Sequence, residues 1–278
     1  MSGIGFLHRS GGGMPRAEVE RIADALHNAA ESGSTVLQSE LYPAPITLAE
    51  AYRIQQYQAT RTGPRAGLKM GLTSRAKMRQ VNVDSPIAGF LPQSAACDDG
   101  ALIETKGMGQ PRVEPEIVFV MGRDIDGPLT AAQAFDAVAW VGIGIEILDS
   151  RYRDFKFTLP DVVADNTSAK KFVTGGIWLH PSEIPLDNLG VVMEINGIPR
   201  GYASSSAILD HPIRSLVALS QIASTYAEPG FTWLHPMLPL RKGEIVLAGA
   251  PMEAVPVKSG DSVTVRCQKL GSATAIFR

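Results

Sequence analysis

Cysteine is scarce in this chain: there are two, Cys97 and Cys267, in no CxxC spacing. That excludes a disulfide scaffold and a thiolate zinc site, and leaves two small hydrophobes in a reducing compartment as the plain reading. No uninterrupted apolar run approaches the ~20 residues of a membrane-spanning helix. The Gly-rich stretch from Met1 to Met14 lacks the long apolar core of a secretory signal and reads as a loose tail. A cytoplasmic protein with no membrane partner is therefore expected. Excess charge is missing too. The formal net charge of -2 gives no pull toward nucleic acid. His8, His27, His180, His211 and His235 show no HxH or HxxxH pairing and read as structural, with only His211 near another suggestive segment. There is no GxSxG elbow, Walker loop or GxGxxG run, and Gly142-Ile143-Gly144 is too short for a nucleotide signature.

What is present is a globular composition, 45% hydrophobic and 19% charged over 278 residues, enough for one large domain with a small appendage. Helical spacing runs from Pro15 to Ala30, where Val19, Ile22, Ala23, Leu26 and Ala30 share a face. A second helix is predicted from Thr47, because Thr47-Leu48-Ala49-Glu50 is a capping box, and it should run to Gly63-Pro64. Residues 1–65 thus form a helical N-terminal region with a flexible Gly-rich tail, and residues 66–278 a β-rich catalytic domain. In the latter, Glu116 to Met121, Val141 to Leu148, Val191 to Ile195, Ile245 to Ala248, Ser262 to Cys267 and Ala273 to Phe277 read as strands. Helices are predicted over Ala131 to Trp140 and Ile213 to Tyr226. Strands at irregular spacing with few helices indicate an α+β fold with a β-rich core, not a doubly wound sheet.

The chemistry begins at Arg112-Val113-Glu114-Pro115-Glu116. In an extended chain residues i and i+2 point to one side, so Glu114 and Glu116 face together, and Pro115 favours that conformation. Two carboxylates this close repel unless something positive lies between them. By themselves they fit a solvated strand end better than a site, since adjacent acids are common on surfaces. Val141 to Leu148 adds to them: an apolar strand with one carboxylate, Glu146, which must meet a cation, while its glycines leave room beside it. Three glutamates on two strands make a hard oxygen site suited to Mg2+ or Mn2+. Lys69, within the glycine-flanked run Gly67 to Ser74, is the candidate cation at the reacting end, although a lone lysine on a loop is more often a solvated charge.

Several blocks resemble a known family. These are Gly67-Leu68-Lys69-Met70-Gly71-Leu72-Thr73-Ser74, Ala76-Lys77-Met78, Pro86-Ile87-Ala88-Gly89-Phe90-Leu91, the run from Glu146 to Phe157, Val162 to Asn166, and Phe172 to Gly176. They are similar to the 2-oxopent-4-enoate hydratase and 4-oxalocrotonate decarboxylase family of the fumarylacetoacetate hydrolase superfamily. The likeness runs from about residue 20 to the C-terminus. It implies a fumarylacetoacetate hydrolase-like mixed β-sheet roll, with Glu114, Glu116 and Glu146 on Mg2+ or Mn2+ and Lys69 as the catalytic lysine. It also implies a small 2-oxo acid substrate from meta-cleavage aromatic breakdown, a homo-oligomer, and a complex with a hydratase of the same pathway.

Within that family, hydratases carry an acid directly after the proline of the Pro86 segment, and here the residue is Ile87. Lys69-Met70-Gly71 and Tyr152 to Phe157 also resemble the decarboxylase branch, and Cys267 and Gly230 to Leu234 fit it loosely. Ala203-Ser204-Ser205-Ser206 departs from its Gly-Ala-Gly-like run ahead of His211-Pro212, and added hydroxyls change what a pocket can hydrogen-bond. The resemblance therefore implies decarboxylation of 2-oxohex-3-enedioate to 2-hydroxypenta-2,4-dienoate, with hydration of that dienoate as the alternative and a non-catalytic relative as a third reading. Leu72 and Ile87 are expected to border the substrate. A diacid needs a second anion contact, for which Arg151 and Lys156 are the nearest sequence candidates.

Overall fold

The computed structural model describes residues 13–74, 78, 85–227 and 232–278. The readings placed on the Gly-rich tail before residue 13, on Ala76-Lys77 and on Gly230-Phe231 lie outside the described residues.

Three helices open the chain: α1 (Arg16–Ser32), α2 (Gln38–Leu41) and α3 (Leu48–Ala59). α1 buries Val19, Ile22, Ala23, Leu26 and Ala29 and ends on Gly33, whose φ of 67° admits the left-handed cap. Both halves of the predicted box hold α3: the Glu50 amide donates to Thr47 Oγ1 at 3.2 Å, and the Thr47 amide donates to Glu50 Oε2 at 2.8 Å. α3 stops at Ala59, short of Gly63-Pro64.

Then follow β1 (Arg65–Gly71), β2 (Ile87–Pro92), β3 (Ala96–Cys97), β4 (Ala101–Ile103), β5 (Arg112–Met121), α4 (Ala131–Asp136), β6 (Val138–Leu148), α5 (Leu159–Ala164) and β7 (Ala169–Thr174). The chain closes with β8 (Gly190–Ile195), β9 (Ile198–Ser204), α6 (Ile213–Thr225), β10 (Ile245–Leu247), β11 (Val255–Pro256), β12 (Ser262–Cys267) and β13 (Gly271–Phe277). One sheet runs β2-β1-β10-β5-β6-β7-β3, with β11 on the end of β5, and the other β4-β13-β12-β8-β9. The β1/β10 and β3/β7 pairs are parallel and their neighbours antiparallel, so the first sheet is mixed. This is the α+β class expected.

The helix predicted from Ala131 to Trp140 is a correction. It ends at Asp136, and Val138 to Trp140 already belong to β6, where Val138 pairs with Met121. Ladder pairing there overrides helix propensity. Helix α3 is wired into the β-rich body: Gln55 Nε2 donates to the carbonyls of Ala88 (2.9 Å) and Val163 (3.0 Å), and Tyr52 Oη accepts from the Ala88 amide. Among the described residues, no helix is long and apolar enough to cross a membrane.

Candidate active site

The site is built on the β5–β6 ladder. Arg112, Glu114 and Glu116 alternate onto one face of β5, and antiparallel pairing sets Glu146 directly opposite Glu114 and Gly144 opposite Glu116. One carboxylate oxygen from each of Glu114, Glu116 and Glu146 lies within 4.8 Å of the others. Glu116 and Glu146 are 0% exposed and Glu114 is 7% exposed. The room left by Gly144 is taken by Val118 and the Val173 carbonyl rather than standing open beside the acids.

Lys69 comes from β1. Its Nζ is 3.0 Å from Glu146 Oε1 and 3.4 Å from the Thr167 carbonyl oxygen. The Gly249 amide donates to Glu116 Oε2 at 2.6 Å. Only glycine serves there: its φ is 105°, and a Cβ would sit 1.9 Å from Thr73 Oγ1. Among the described residues, Glu116 Oε1 has no hydrogen-bond partner. Burial first, then the Glu146 and Glu114 carboxylates, push the Glu116 carboxyl well above the ordinary carboxylate range, against the opposing pull of Lys69 and the Gly249 amide. A buried oxygen with no hydrogen bond among the described residues and an all-oxygen donor set fit a hard divalent cation.

Beside the trio opens a cavity of about 460 Å³. Glu114 and Lys69 reach its wall, as do Leu72 and Ile87. Gly71 keeps this corner open, since a Cβ there would lie 3.0 Å from Ile87 Cγ1 and 3.9 Å from Lys69 Nζ. Another wall is a left-handed turn: Asn166, Thr167 and Ser168 have φ of 47°, 52° and 61°. Surrounding contacts over-determine it. The Asn166 side chain accepts from the Phe90 amide and donates to the Phe90 carbonyl, and Gly89 leaves the space that a Cβ would close to 2.5 Å from Thr167 Oγ1.

Arg151 and Lys156 do not line this cavity. Arg151 is buried behind the turn: its Nε pairs with Asp165 Oδ1 at 2.5 Å, and Nη1 donates to the carbonyls of Asp149 and Ala169. Burial pushes the Asp165 carboxyl up to about 6, with Arg151 opposing. These bonds hold the turn. Lys156 points to solvent, 3.8 Å from Asp154. The serines of the 203–206 run are also structural: Ser205 Oγ donates to the Leu186 carbonyl and accepts from the Leu189 amide. His211 Nδ1 accepts from the Ile213 amide at the start of α6.

Sequence reasoning missed three participants: the Gly249 amide, the Thr167 carbonyl and Arg112. The last lines the cavity, its guanidinium 4.0 Å from the Phe155 ring centroid. Its phase, two residues before Glu114, was the available signal.

Residues 61–278 match the fumarylacetoacetate (FAA) hydrolase C-terminal family. A 4-oxalocrotonate decarboxylase of Pseudomonas sp. is 41% identical over 259 residues, 92% of this chain and 96% of that one. A 2-hydroxyhexa-2,4-dienoate hydratase of Comamonas testosteroni is 32% identical over 266 residues, 93% of this chain and 97% of that one. Among solved structures, the 4-oxalocrotonate decarboxylase of Pseudomonas putida G7, complexed with magnesium and adipate, superposes with a TM-score of 0.87 at 34% identity, covering 95% of this chain and 99% of that chain. The carboxylate trio therefore sits in a chain that belongs to the fumarylacetoacetate hydrolase family.

Proposed function

We propose that this chain is a metal-dependent carboxy-lyase that converts 2-oxohex-3-enedioate (4-oxalocrotonate) to 2-hydroxypenta-2,4-dienoate in meta-cleavage breakdown of aromatic compounds. The observation that carries the reading is the convergence of Glu114, Glu116 and Glu146 beside Lys69, on a cavity bordered by apolar Ile87 and Leu72. The relatives named decarboxylases support it. In this reading Glu114, Glu116 and Glu146 hold Mg2+ or Mn2+, Lys69 is catalytic, and Leu72 and Ile87 border the substrate. A hard divalent cation bound there supplies Lewis acidity toward the oxygens of a 2-oxo acid.

The remaining work falls to the chain. The bond to the departing carboxyl carbon breaks, its electron pair moves through the double bond to the 2-oxo oxygen, and the resulting dienolate takes one proton. The Lys69 ammonium, 3.0 Å from Glu146 Oε1, is the cation that would answer that negative charge, and it can hold the proton at Nζ. Ile87 keeps water from the carbon that loses CO2, and an apolar surrounding favours departure of carboxylate as a neutral molecule.

The second reading is hydration of the dienoate. It draws on Asp154 and Glu253, acids on the cavity lining that could hold a water, and on the hydratase relatives. The discriminating measurement compares decarboxylation of 2-oxohex-3-enedioate with water addition to 2-hydroxypenta-2,4-dienoate at equal enzyme and Mg2+. Faster hydration overturns the first reading. We further propose a cytoplasmic homo-oligomer that associates with a hydratase of the same pathway, because the reactive dienol product is that enzyme's substrate. Sedimentation of the full chain with and without such a hydratase tests this, and a lone monomer refutes it.

A further inference from the structure

We infer that Arg112 is the cavity's specificity residue, which takes the distal carboxylate of a linear 2-oxo diacid. The inference rests on the diacid reading above and names the residue that carries it. Arg112 shares the face of β5 with Glu114, two positions upstream, so the two are roughly 7 Å apart along the strand. A six-carbon dicarboxylate extended along that face has comparable length. A substrate whose 2-oxo end sits at the glutamates therefore presents its far end to the guanidinium.

The surroundings fit an anion-holding arginine. Among the described residues, the Arg112 guanidinium makes no hydrogen bond or ion pair; its one recorded contact is with the Phe155 ring. Stacking on a ring fixes the guanidinium plane and leaves its N–H edge available for bidentate pairing. The ring is carried by a left-handed stretch, in which Asp154 and Phe155 have φ of 58° and 55° without being glycine, a conformation that persists only where its surroundings impose it. Among the described residues of the lining the other cation is Lys69, which is committed to Glu146 and the Thr167 carbonyl. Asp154 and Glu253 add negative charge to the lining, so an entering anion is repelled unless a cation answers it.

This contact is made in the ground state and opposes loss of the carboxylate, so its removal should raise KM more than it lowers kcat. Binding separates it from a structural role. On Mg2+-loaded protein, calorimetry compares 2-oxohexanedioate, which lacks the double bond needed for decarboxylation, with 2-oxohexanoate. The wild type should bind the diacid about tenfold tighter or more. Arg112→Gln should erase that preference and leave the monoacid within about twofold, while Arg112→Lys, with charge but no fork, keeps part of it. A diacid preference that survives Arg112→Gln, or equal weakening of both acids, overturns the assignment and leaves the diacid reading standing. A wild type indifferent to the second carboxylate defeats the diacid reading itself, and this inference with it.

Discussion

Glu116 is costly to keep charged: it is fully buried, one oxygen lacks a partner, and two carboxylates face it. A carboxyl whose folded-state pKa is raised contributes stability that is complete below its unfolded pKa and lost as pH rises through the folded one. Glu116→Gln should therefore raise the Tm of chelator-treated protein. The gain should be largest at neutral and higher pH and shrink on acidification, which thermal scans across pH will read. Lys69 is the second residue to test. With Mg2+ present, Lys69→Met should lower kcat by about 10²-fold or more, through loss of charge stabilisation and proton transfer, while Tm shifts little. Unchanged turnover removes Lys69 from the chemistry. These residues were legible because a carboxylate in an apolar strand and a lysine between glycines break local pattern. The function inferred for Arg112 was not: its phase puts it on the face of Glu114, but the ring and the cavity wall beside it come from a segment far along the chain.

At the scale of elements, the left-handed turn at Asn166 to Ser168 decides where the Thr167 carbonyl meets Lys69. Gly89 on β2 makes room for it. Gly89→Ala should cost about 1–3 kcal/mol by overpacking. It should also lower kcat by about tenfold or more as Lys69 loses its rest; denaturant melts and initial rates together check this, and an active, stable variant denies the turn its function. Elements with strong local signals were readable: α1 from its spacing, α3 from its capping box, β5 and β6 from their apolar runs. β1 was missed because Gly67 and Gly71 dilute its pattern. Gly67 is needed there, since a Cβ would lie 1.8 Å from the Ile245 carbonyl oxygen on β10. β9 was missed because its residues are mostly exposed and include Pro199 and Gly201. Short β3, β4 and β11 exist only through their partners, which a linear reading does not contain.

For the whole molecule, the proposed metal site would couple stability to metal. A cation that binds the folded state alone stabilises by about 2.7 kcal/mol at a hundredfold excess over Kd. Mg2+ should raise Tm by several degrees in the wild type and leave Glu116→Gln unmoved; an equal rise in both would place the ion elsewhere. The expected sheet class holds, and the three glutamates converge, because both are written into the β5 and β6 sequences. What the sequence did not carry is how α3 clamps the pocket wall from outside, through Gln55 and Tyr52 to Ala88, next to Ile87.

The pairing of Glu114 with Glu146 has a kinetic side. These residues meet whenever β5 and β6 zip in register, so closing the ladder drives like charges together before any substrate exists. If that ladder forms on the way to the transition state, the metal-free chain climbs an electrostatic barrier that an ion would lower. Stopped-flow refolding in chelator should then be faster for Glu114→Gln than for the wild type, with unfolding nearly unchanged. Equal refolding rates and an altered unfolding arm would mean that the two strands close only after the barrier is crossed.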